Sequence, residues 1–115
     1  MNQPMHAELA AGRWEMFPLA LQIAHIGSEV SRACKAKEST NDVRMQSALD
    51  RMLELIDMTL SDPKNRYRLR EVCRMREVLC DFLVGDNIYH STRHSLDRYF
   101  LQFAVAAKCV SEKRI

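Results

Sequence analysis

The chain has little that interrupts a helix, with three glycines and three prolines in 115 residues. No strand-like alternation stands out, and Leu, Ala, Met, Glu and Arg favour helix nearly throughout. A run of about 18 apolar residues is also missing, which argues against a membrane-spanning helix. The amino-terminal "MNQPMHAELAAGRWEMF" lacks an uninterrupted apolar core of signal-peptide length, and a cytoplasmic setting is expected. Neither sign of charge is in excess: 17 Lys and Arg stand against 15 Asp and Glu, a net charge of +2. That is too mild to mark a nucleic-acid binder by bulk charge, so any basic site must be a local patch.

The motifs of familiar chemistry are missing too. There is no Gly-rich phosphate loop, nucleophile elbow or Cys-His signature, and no catalytic residue is assigned. Cys34, Cys73, Cys80 and Cys109 lack CxxC or CxxH spacing and sit among apolar residues at helical intervals, which reads as reduced core thiols. His25 and Glu29 lie four apart, as do His90 and His94, without further ligands at recognisable spacing. Paired Glu-x-x-His elements of carboxylate-metal bundles do not occur. No metal and no cofactor is expected.

What is present fits one domain over residues 1–115, with residues 1–17 as a short amino-terminal extension. The first helix is expected from about Pro18 to Lys37, ended by "ESTND"; Asn41 or Asp42 caps the second, which reaches about Leu60. Asp62 before Pro63 is expected to cap a third helix running to Val84, with Gly85 as a left-handed stop. Ser91, Thr92 or Ser95 caps a fourth, ending near Cys109. Apolar stripes at three-four spacing support these helices: Leu19, Ile23, Ile26, Val30 and Ala33; Met45, Leu49, Met52, Leu53, Ile56 and Leu60; Leu69, Val72, Cys73, Leu79, Cys80 and Leu83; Leu96, Phe100, Phe103, Ala107 and Val110. The fold class is all-α, an up-and-down antiparallel four-helix bundle.

Two sets of arginines stand out in "DPKNRYRLREVCRMREVLC". Arg76 falls between Cys73 and Cys80, inside the expected stripe, where an unpartnered guanidinium would cost several kcal/mol. A buried polar pair is therefore expected with Glu29 or Asp57, Glu29 preferred. Arg66, Arg70 and Arg74 repeat every four residues, with Lys64 near the same end, placing positive charge at the start of the helix against its dipole. The functional reading is an anion or polyanion site, and the plainer one is a solvated face neutralised by acids such as Asp50 or Glu54. The loop "GDNIYHSTRH" gathers Asp86, Asn87, Tyr89 and His90, as a ligand site or simply a capped turn.

Two faces point to self-association. Ala20, Ala24, Gly27 and Ser31 form a ridge of small residues on helix one suited to a close helix crossing, and Leu101 and Val105 leave little of helix four polar. A homodimer through these faces is expected. The alternative is cover by the amino-terminal segment of the same chain, anchored by Trp14 and Phe17.

"QIAHIGSEVSRA", "DPKNRYRLREVCRMREVLCDFLVGDNIY" and "SLDRYFLQFAVAAK" resemble the blocks of a family of small uncharacterised prokaryotic cytosolic proteins, from about Trp14 to Lys108. That resemblance implies a single intracellular domain and supplies no site residues. A more distant similarity is to helical bundles of the HEPN type, which occur beside nucleotidyltransferases in toxin–antitoxin pairs and can cleave RNA. Their nuclease motif places a histidine about four to six residues after an arginine, whereas "TRHSL" puts Arg93 directly before His94. The function expected is a non-enzymatic, self-associating interaction module; the alternative is a nucleic-acid-associated or toxin–antitoxin-like bundle using the basic ridge of helix three.

Overall fold

The structure, a computed structural model, describes residues 12–113 and the side chains of residues 12–110. The first eleven residues of the expected extension lie outside the described residues. Four α-helices follow one another: α1 (Leu19–Glu38), α2 (Asp42–Leu60), α3 (Leu69–Leu83) and α4 (Arg93–Lys113). Short 3₁₀ turns occupy Trp14–Met16 and Pro63–Asn65, and no strand occurs among the described residues.

Local chemistry sets most boundaries. Pro18 is extended (φ −64°, ψ 156°), and its carbonyl receives the amides of Leu21 and Gln22 to open α1. Asn41 caps α2 by accepting from the Arg44 amide at 3.1 Å. At α4, Thr92 Oγ1 accepts from the Ser95 amide at 3.0 Å and Ser95 Oγ accepts from the Thr92 amide at 2.9 Å. This is a reciprocal cap in which serine takes the place usually held by glutamate.

The helices run up-down-up-down. Trp14, just before α1, meets Thr59 at the end of α2, and Glu29 meets Arg51 midway. Lys37 near the end of α1 donates to the Phe82 carbonyl near the end of α3, and Arg93 at the start of α4 pairs with Glu38 at the end of α1. All-α and four-helical, the bundle is built around α1, which packs most closely on α2 and α4; α3 lies against α2 and more lightly on α1. Its core joins Ile23, Ile26, Val30 and Ala33 of α1 to Leu49, Met52 and Ile56 of α2, with Leu96 and Phe100 of α4. No helix of the described residues is long and apolar enough to cross a membrane.

Helix α3 departs from the sequence expectation in two ways. Asp62 caps only the single turn Pro63–Asn65, accepting from the Lys64 amide. Arg68 then breaks helical geometry (φ −119°, ψ 11°), and α3 begins at Leu69. Its buried stripe is Val72, Met75, Leu79 and Leu83, rotated from the expected one because the long thioether of Met75, not the short thiol of Cys73, fills the core. Cys73 is accordingly exposed; Cys109 on α4 is exposed too, and Cys34 alone of the four thiols is fully buried. Gly85 is not left-handed. Its value is room, since a Cβ there would sit 3.0 Å from the Asp81 backbone, and the left-handed non-glycine residues are Thr40 in the α1–α2 turn and Asn87 and His90 in the α3–α4 turn (φ 53° each).

Candidate functional site

The rotated stripe of α3 decides the first expected site. Arg76 lies one position, about 100°, beyond buried Met75 and is exposed, as is Asp57. The proposed pair with Arg76 is therefore corrected: the buried acid is Glu29, but its partners are Arg32 and Arg51. Glu29 has a side chain 6% exposed, and accepts from Arg32 Nη1 at 2.6 Å and from Arg51 Nε at 3.2 Å. An acid flanking the apolar stripe of α1 was visible in the sequence; that α2 would bring Arg51 to it depends on how the two helices are rotated.

The basic ridge of helix three is also corrected. Because α3 starts only at Leu69, Lys64 and Arg66 lie outside it and the four-residue repeat to Arg70 and Arg74 is broken. Lys64 pairs with Asp62 and donates to the Glu15 carbonyl. The Arg66 guanidinium stacks over Tyr67 at 4.7 Å, and Arg68 pairs with Glu71. Arg70 is exposed, while Arg74 borders an apolar groove of about 340 Å³ where α3 and α4 diverge, lined by Met75, Val78, Leu79, Leu96 and Tyr99 with Glu71 at its rim.

Positive charge gathers elsewhere, on α1 and α2. Arg32, Lys35 and Ala36 on one face of α1 and its C-cap Ser39 fall at i, i+3, i+4 and i+7, and Arg44, Ser47, Ala48 and Arg51 repeat that spacing on α2. These eight residues line a cleft of about 340 Å³. Ala36 and Ala48 are buried and form its floor, 5% and 1% exposed. The sequence carried this signal as two matched spacings, "RACKAKES" and "RMQSALDR", but only the packing of α1 on α2 brings them together.

The small-residue ridge of α1 has an intrachain use. A Cβ on Gly27 would meet Phe100 Cγ at 2.7 Å and Cβ at 2.9 Å, so the close crossing anticipated for a second subunit is with α4 of the same chain. Ala20, Ala24 and Ser31 are half-buried on α1. In contrast Leu101 and Val105 stand 61% and 53% exposed. Ala104, Ala106, Cys109 and Val110 are exposed beside them, so α4 presents an almost uncharged outer surface over residues 101–110, interrupted by Lys108.

Trp14 and Phe17, the anchors named in the alternative to self-association, pack at the base of the α1–α2 pair. Trp14 is 1% exposed and donates from Nε1 to Thr59 Oγ1 at 3.0 Å, while Phe17 stacks on His25. Gln22 Nε2 donates to the Trp14 carbonyl and to Asp62 Oδ2, and Asn65 Nδ2 donates to Gln22 Oε1 and the Thr59 carbonyl. Burial would raise the Asp62 pKa, but hydrogen bonds from Lys64 and Gln22 outweigh it and hold the carboxyl below its ordinary value. Burial lowers the pKa of His25 and raises that of Cys34. This network is fully partnered, so it reads as a structural lock. The loop after α3 is likewise a capped turn: Asp81 accepts from the amides of Ile88 and Tyr89, and Asn87 closes on Ser91.

Among the described residues no group of three or more His, Cys, Asp or Glu side chains is placed to hold a metal ion. No family model matches the chain, and neither a curated protein nor a solved structure is significantly similar to it.

Proposed function

We propose that the protein is a non-enzymatic helical interaction module that associates with a second copy of itself through the outer face of α4. The observation that carries this reading is a self-complementary stripe. Asp97, Leu101, Ala104 and Lys108 follow at i, i+4, i+7 and i+11, the spacing of a coiled-coil seam, with Val105 beside them. All five residues are exposed. An acid closes one end, a base the other, and the middle is apolar.

Antiparallel pairing about a two-fold axis through the middle of this stripe sets Leu101 against Ala104 of the second copy and Asp97 against Lys108 of the second copy. A two-fold interface requires this reciprocity, in which the same patch serves both partners. Exposed apolar side chains over several turns of one helix also favour cover by a partner. Val105→Glu places two carboxylates at the centre of the pairing. Sedimentation at micromolar concentration is expected to show a dimer for the parent chain and a monomer for Val105→Glu with helicity retained; a parent monomer near 13.3 kDa would end this reading.

A polyanion-binding role for helix three has weaker support, because Lys64, Arg66 and Arg68 are occupied within the chain.

A further inference from the structure

We propose that the cleft between α1 and α2 binds a short chain of linked phosphates, the chemistry shared by inorganic polyphosphate and the phosphate tail of a nucleotide. The proposal is independent of self-association through α4. Four cationic side chains line this cleft, and no carboxylate does. The whole chain carries a net charge of only +2, so the cleft reflects a local concentration of positive charge.

The geometry is prepared for an anion in three respects. First, Glu29 takes one N–H of Arg32 and one of Arg51, fixing two guanidinium groups while leaving each with further donors. Second, the side chains of Lys35 and Arg44 have no hydrogen-bond or ion-pair partner among the described residues. Third, the alanine floor at Ala36 and Ala48 leaves space that any longer side chain would fill.

The arrangement also favours linked phosphates over a single one. Because α1 and α2 are antiparallel, Arg32 and Arg51 stand together at one end of the cleft, and Ser39 and Arg44 stand where the helices join. Each lining set runs over seven residue-to-residue steps, about 10 Å of helix, so the cations are spread along a line. A volume of about 340 Å³ lies at the small end of ligand-binding clefts. Arginine forks and a serine hydroxyl match phosphate oxygens, which accept several charge-assisted hydrogen bonds at once. A ligand touching both ends replaces the repulsion among the four cations with attraction at each.

Isothermal titration calorimetry of the full chain at low salt tests this with inorganic tripolyphosphate, orthophosphate and ATP as probes. Tripolyphosphate is expected to bind at least ten-fold more tightly than orthophosphate. Lys35→Gln with Arg44→Gln, both exposed and outside the Glu29 pairing, is expected to weaken it at least ten-fold, while Arg70→Gln with Arg74→Gln changes it less than two-fold. ATP binding tighter than tripolyphosphate would assign the site to nucleotides, and equal binding to the phosphate chain alone. No heat at millimolar tripolyphosphate, or equal weakening by the two pairs of substitutions, would overturn the proposal.

Discussion

Gly27 gives the sharpest test of how the bundle is assembled, because two opposing effects of known size meet at one added methyl group. In an exposed helix interior, Gly→Ala stabilises by about 1 kcal/mol. At Gly27 the new methyl would sit 2.7 Å from Phe100 Cγ, 2.8 Å from Cδ1 and 2.9 Å from Cβ, where ordinary contact begins at 3.4 Å. Cβ and Cγ stay in place when the ring turns about the bond between them, so ring rotation cannot clear them; α4 must move away from α1 by about 0.7 Å. Overpacking of this kind costs about 1–3 kcal/mol. Gly27→Ala should therefore destabilise by about 1 kcal/mol net, or roughly 4 °C in Tm. Gly27→Leu should lose more. Phe100→Ala removes Cγ and Cδ1, two of the three obstructing atoms, so the double variant should lose less than the sum of the single losses. Urea unfolding followed by circular dichroism reads all of these. A rise in stability for Gly27→Ala, or strict additivity with Phe100→Ala, would show that α1 and α4 do not cross at this glycine.

Three further outcomes follow from the placed side chains. Arg76→Ala should change stability by less than about 0.5 kcal/mol in chemical denaturation, since the side chain is exposed; a loss of about 3 kcal/mol would restore the buried pairing that its sequence position suggested. Arg32→Ala with Arg51→Ala strands the Glu29 carboxylate and should cost about 3 kcal/mol, much of it recovered by adding Glu29→Gln, with no recovery contradicting the burial of that acid. The Asp62 carboxyl is held below its ordinary 3.8, so its contribution is present above that value and is lost as pH falls through the lower folded one. Asp62→Asn should flatten that part of the acid limb of a stability-against-pH curve, and an unchanged limb would refute the coupling.

Apolar spacing made the architecture legible. Ile23, Ile26, Val30 and Ala33 on α1 and Leu49, Met52 and Ile56 on α2 stand out at three-four spacing and are buried. Caps were equally readable, since Asn41 and Thr92 are residue types whose short side chains reach a free amide. Rotation of α3 was not readable: Cys73 and Met75 are both apolar, and the choice between them, which decides whether Arg76 faces solvent, is made by packing against α2. A proline after aspartate marked Asp62 as a cap, but the turn it opens covers only Pro63–Asn65 and Arg68 departs from helical geometry before α3 begins, and this dissolved the expected arginine ridge. Gly27 signalled a close crossing without indicating which helix approaches it. The basic cleft was not legible because its cations come from two segments, each ordinary alone, that meet only when α1 and α2 pack.

The pairing of α4 with a second α4 is tested most directly by exchanging the charges at the ends of its stripe and measuring the dimer dissociation constant by analytical ultracentrifugation. Asp97→Lys alone and Lys108→Asp alone should each weaken the dimer, because each places like charges opposite one another across the two-fold axis. The chain carrying both substitutions should regain most of the parent affinity. If instead the single substitutions leave the dimer unchanged, or the double variant is no tighter than either single one, then α4 does not pair antiparallel with a second copy of itself and the proposed interface is wrong.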